Sequence, residues 1–121
     1  MQTFEIDGKE YELKVSYKGI EYLNGKFEGG QHEVIGRVLQ SDLSAFPHIV
    51  HASLLHAGEN IPFTKVKKRV EELINDGELS LDDIFKISDE VVLNSFFYKA
   101  TVEKMMKKEK RMKEALELLR D

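Results

Sequence analysis

The stretch TFEIDGKEYELKV, residues 3–15, decides how this fold is read. Phe4 and Ile6 alternate with polar residues, Tyr11, Leu13 and Val15 do the same, and Asp7-Gly8 lies between the two sets. An Asp-Gly pair supplies the positive φ angles of a tight hairpin turn. Pairing across a two-residue or a four-residue loop puts both apolar sets on one face. A three-residue loop would set Ile6 opposite Glu10 and is disfavoured. A lone hairpin is marginal in water, so its apolar face needs helices to rest on.

The chain beyond the hairpin supplies them. YKGIEYLNGKF, residues 17–27, predicts a short helix weakened by Gly19 and Gly25, with Tyr17, Ile20 or Tyr22, and Leu23 or Phe27 facing inward. A Gly29-Gly30 break follows, and residues 32–60 predict one or two helices divided near 41–47, with Pro47 in a first turn where its missing N–H costs little. The next helix carries the stripe Val66, Val70, Leu73 and Ile74, with Thr64 as its expected N-cap and Gly77 as its stop. Ser80 is placed to cap a further helix, with Asp82 and Asp83 near the positive end of its dipole. A last, long helix is expected from about Ser88 to Leu119. The fold class expected is therefore α+β, one domain over residues 1–121: a hairpin over 1–15, a helical body over 16–87 and a long terminal helix over 88–121.

Size and composition narrow the function. With 121 residues there is room for one modest core. The sequence has no cysteine, which removes disulfides, zinc–thiolate sites and a cysteine nucleophile. The opening residues lack the basic start and apolar run of a signal peptide, and no apolar segment is long enough to span a bilayer, so no membrane partner is expected. The net charge of −4 argues against a nucleic-acid binder, although residues 99–113 hold seven basic residues against Glu103 and Glu109.

That basic run lies on the terminal helix, whose apolar spacing is its main feature. Val91, Tyr98, Met105, Met112 and Leu119 occupy one heptad position, and Ser95, Val102, Glu109 and Leu116 the other. Seven of these nine positions are apolar, as a helix-packing seam requires. Two readings stay open: the helix folds back onto its own domain, or its distal end meets another chain. In the second case Tyr98, Val102, Met105, Met112, Leu116 and Leu119 would form the partner-binding or self-association surface, and the methionines would suit an adaptable contact.

No constellation carries catalytic chemistry. His48 and His51 are three apart with no glutamate between them, so the two-histidine, one-glutamate spacing of a zinc protease helix is not met. Neither a nucleophile elbow nor a phosphate-binding loop occurs. Asp82-Asp83 read as helix-start charges. No cofactor, metal site or enzymatic activity is expected. A small DNA-binding or regulatory protein using the basic face at 99–113 is the alternative, but that run is mixed with acids and lacks aromatic residues for stacking bases.

In its ordered set of motifs the chain resembles the tail assembly chaperones of long-tailed phages and prophages of Gram-positive bacteria. The likeness rests on FEIDGKEYELKVSYKGIEYLN (4–24), with the pattern I-x-G-K-x-Y-x-L, and on FTKVKKRVEELINDGELSLDDIF (63–85), with V-x-x-x-x-E-x-L-I-x-D-G. The terminal helix is longer and more basic than the family pattern, and PHIVHASLLHAGEN (47–60) matches only in its alternation of small and apolar residues. The resemblance implies a non-enzymatic protein that binds the tape measure protein during tail assembly by multi-copy protein–protein contacts. It further implies action in the cytoplasm of the bacterial host, absence from the mature virion and, as is common in the family, a minor frameshift-extended form of itself. It carries over no catalytic residues.

Overall fold

A computed structural model describes residues 1–108 and 110–120; the side chains of Lys110, Met112 and Lys113 lie outside the description. The hairpin consists of β1 (Thr3–Ile6) and β2 (Lys9–Glu12), paired antiparallel with Phe4 opposite Tyr11 and Ile6 opposite Lys9. The turn is thus the two-residue one, with Asp7 and Gly8 at φ of 53° and 80°, the left-handed pair that matches the twist of the strands. Phe4, Ile6, Leu13 and Val15 are buried.

Helices, and the segment between the third and fourth of them that carries Glu59, hold the hairpin in place through polar contacts as well as burial. The Arg69 guanidinium donates to the Glu5 carbonyl at 3.0 Å and to its carboxylate at 2.7 Å. Lys65 pairs with Asp7, and Lys9 with Glu59. The Tyr11 hydroxyl donates to Glu59 at 2.7 Å, and the Lys14 amide bonds the Ser53 carbonyl at 3.0 Å.

Seven α-helices follow among the described residues: α1 (Tyr17–Lys26), α2 (Gly30–Leu39), α3 (Phe46–Leu54), α4 (Phe63–Asn75), α5 (Leu81–Ser88), α6 (Phe96–Lys108) and α7 (Lys110–Arg120). The protein is α+β with a helical domain. The centre is α3, in which Phe46, Pro47, Ile49, Val50, Ala52, Ser53 and Leu54 are all buried. It packs against α1, α4, α5 and β2, and Pro47 lies in its first turn. Helix α1 approaches α3 at Gly19, where a Cβ would lie 2.7 Å from the Ala52 carbonyl oxygen. Ser80 caps α5 in a reciprocal box with Asp83, which leaves both orphan amides satisfied.

Three expectations are corrected. Tyr17 is not inward but 73% exposed. The inward face of α1 contains Gly19, Ile20 and Leu23, and residues two apart on a helix point about 200° away from each other. Thr64 is not the cap of α4. Pro62, extended at φ −62° and ψ 144°, precedes the helix, and its carbonyl accepts from Lys65 and Val66. A proline fixed at that φ ends the extended segment itself, so Thr64 falls inside the first turn.

The third correction concerns the terminal helix, which is not continuous from 88 to 119. Residues Asp89–Leu93 form a π turn, in which the Asn94 amide bonds the Asp89 carbonyl five residues back at 3.0 Å. The Asn94 side chain bonds the same carbonyl at 2.9 Å, and Ser95 closes on Val92 before its own carbonyl accepts from Lys99 in α6. A straight helix from Phe96 to Arg120 would separate those residues by about 36 Å. Instead Arg120 ion-pairs with Asp89, ahead of α6, so α7 runs back along α6. The physical reason is an available core: Leu116 is fully buried in it.

Candidate protein-binding surface

Of the six terminal residues expected at a contact surface, Tyr98, Val102 and Leu116 lie in the chain's own core. The Tyr98 hydroxyl donates to Asn24 at 2.9 Å, and burial raises its pKa. Met105 is half-buried against the same core, and Leu119 is 36% exposed. The Met112 side chain lies outside the described residues. A contact made through Tyr98, Val102 or Leu116 would require α7 or α6 to move.

The apolar groups that do face outward are elsewhere. Tyr17 opens α1, Leu81 opens α5, and Phe96 with Phe97 opens α6; Leu118 projects from α7. Phe96 is 73% exposed beside a groove of about 210 Å³ lined by Leu13, Val15 and Val91, with Lys14 and Glu90 at its edge. A second groove, of about 350 Å³, runs between α3 and α4 over Leu43, Pro47, Phe63, Val70 and Ile74, with Lys67 and Glu71 on its rim. Apolar floors with charged rims suit helix-in-groove recognition, where apolar anchors enter and the rim keeps the free surface soluble. On the outside of α6, Lys99, Lys104, Lys107 and Lys108 are exposed.

His48 is part of the α3–α4 groove's wall, and His51 follows it on α3. His48 stacks on Phe63 at 4.4 Å with nearly parallel rings, and its Nδ1 lies 2.8 Å from the Tyr22 hydroxyl. The His51 ring sits against Tyr22 and edge-on to Phe63, and its Nδ1 is buried without a hydrogen-bond partner. Among the described residues no three of His, Cys, Asp and Glu gather as metal ligands would. Burial lowers both histidine pKa values, and the Lys26 charge lowers them further.

A pH dependence follows. Below about pH 6.5 the unfolded chain takes up protons on these rings that the folded chain resists, so stability falls as acid is added until the lowered folded values are passed. Thermal unfolding should therefore occur at a lower temperature at pH 5.5 than at pH 7.5, above the range where carboxylates titrate. The difference should shrink in His51→Phe. A flat profile across that interval in the native sequence would remove the argument.

Sequence reasoning did not find Asp89 or Arg120, and Phe96 and Phe97, which read as widening the apolar face toward the domain's own core, are instead exposed, Phe96 at 73%. Only one signal was present: Arg120 stands one helical turn after Leu116, so both project from one face. No described helix is long and apolar enough to cross a membrane.

Comparison with known proteins gives one family. The family model described as "Phage tail assembly chaperone protein, TAC" matches residues 3–107. A search of curated proteins and of solved structures gives no match. With most of its length matched, from β1 into the last turn of α6, the chain belongs to this phage tail assembly chaperone family. Helix α7 falls outside the matched residues. The family's work is tail assembly, which implies protein partners.

Proposed function

We propose that this chaperone acts without catalysis, by binding the tape measure protein while the tail tube is built around it. The observation that carries the reading is the family match over residues 3–107. The surface supports it: aromatic side chains at helix starts and apolar grooves with charged rims are what a partner made of long helices would need.

Magnitudes favour many copies over one tight site. Burying a single leucine side chain contributes about 1.5–3 kcal/mol, whereas a millimolar complex already needs about 4 kcal/mol. One anchor per groove is therefore weak, and strength comes from several copies lined along one partner, aided by contacts between copies. Weak single sites also let the protein leave when the tube closes. The protein acts in the cytoplasm of the bacterial host and is absent from the finished virion. A minor frameshift-extended form would carry additional binding surface past the helical domain.

The test is genetic. In-frame removal of the gene from the phage that carries it should leave filled heads and no tails by electron microscopy, with rescue from a plasmid copy. Normal tails in the deletion strain would reject the proposal.

A further inference from the structure

We infer that α7 is a built-in competitor, seated in a groove that otherwise receives an amphipathic helix of the partner. This rests on the chaperone reading for the partner's role, and on α7 alone for the groove's chemistry. Among the described side chains of α7 few are committed to the fold. Leu116 is fully buried, whereas Leu118 and most of the charged side chains around it are exposed. Leu116 belongs to the same core as Val102 of α6, against which Met105 and Met106 are packed, and α6 is the helix that α7 contacts.

One polar fastening completes the seat. Arg120 Nε and Nη2 donate to the two carboxylate oxygens of Asp89 at 2.9 and 2.6 Å. The Asp89 side chain is only 13% exposed. Its position is set independently of α7, because Asn94 holds both its carbonyl and, at 3.2 Å, its carboxylate. With α7 lifted, the π turn would present a preoriented carboxylate beside an apolar slot.

The occupant is therefore specified by what α7 places there: a leucine or methionine, and an arginine or lysine four residues later on the same helix face. An isolated helix of 11 residues is marginal in water, so α7 stays seated because its attachment keeps its local concentration high. A partner helix must displace it, and its apparent affinity is reduced by the fraction of molecules in which the groove is open. Such a cover keeps methionine-rich surface out of water when no partner is present, and makes occupancy depend on partner concentration.

The test uses the full chain and the isolated peptide of residues 110–120 as probe, followed by two-dimensional NMR. In a Leu116→Ser/Arg120→Ser variant the peptide should give saturable shifts at residues 89–107 in the millimolar range. The native chain should need at least about tenfold more peptide. A peptide with serine at the Leu116 position should give none. Equal response of the native chain, or no saturable response of the variant, overturns the inference. So does a native dimer formed at high concentration that excludes the peptide, since the groove would then belong to a second copy.

A second measurement covers a variant that folds poorly. In Arg120→Ala, hydrogen exchange of α7 amides should quicken about threefold, with α1 and α3 unchanged; quickening there too would make α7 part of the global core and end the argument. Neither measurement involves the tape measure protein, so they can fail while the gene deletion still abolishes tails, and the reverse.

Discussion

Replacing Phe46 with alanine is expected to remove about 3–5 kcal/mol of stability, the usual cost of deleting a fully buried phenylalanine. Phe46 has no exposed surface and begins the central helix, which α1, α4, α5 and β2 all touch. A cavity there cannot collapse easily, because each surrounding element is held by its own contacts. Domains of this size are stable by only about 5–15 kcal/mol, so the variant should lose a large share of that margin. Urea denaturation checks this: the midpoint should fall steeply with an unchanged slope. A loss below about 1 kcal/mol would mean that α3 is not the centre of the fold.

The second large effect comes from adding a single methyl group. Gly19→Ala removes a flexible residue from a helix, which by propensity alone would favour the variant by up to about 1 kcal/mol. The new Cβ, however, would lie 2.7 Å from the Ala52 carbonyl oxygen. That neighbour is backbone in the central helix, so it cannot swing aside, and α1 and α3 must separate. Overpacking of this kind costs about 1–3 kcal/mol, and the two tendencies oppose one another. The net change should be destabilising, in contrast to Gly25→Ala in the same helix, where nothing stands within 4 Å and the propensity gain should appear undiluted. If both variants were stabilised, the close contact of α1 with α3 would be wrong. The comparison is sharp because the two substitutions are chemically identical.

Much of this architecture was legible before any coordinates. Asp7-Gly8 specified the hairpin turn because few residues tolerate two consecutive left-handed conformations. The Val66–Val70 stripe and the Ser80 cap, with Asp82 and Asp83 in the first turn, specified α4 and α5 through spacing and capping, both local properties. Tyr17 was misread because an aromatic residue at a helix start fits either face, and what decided its direction was the absence of a side chain at Gly19. The π turn had no local signature: its five-residue closure depends on Asn94 reaching Asp89, which ordinary helical residues around it conceal.

The terminal seam shows most clearly where reading a sequence stops. Its periodicity established that Tyr98, Val102 and Leu116 share an apolar side, and all three are buried. Periodicity says nothing about which surface covers that side. The fold-back is marked by an arginine and an aspartate that are distant in sequence, a relation invisible to any window of residues. The outward aromatic groups were likewise hidden, since Phe96 is 73% exposed and Tyr98 fully buried although they stand two positions apart.

Co-expression tests the proposal that this chain keeps a tape measure protein soluble by coating it. The tape measure protein of the same phage should be mostly insoluble alone and soluble with this chain present. The two should then elute together from a sizing column, with several copies of the chaperone per partner by light scattering. A partner that stays equally insoluble in both cultures, or one that is soluble but elutes apart from this chain, would mean that the chain does not coat it.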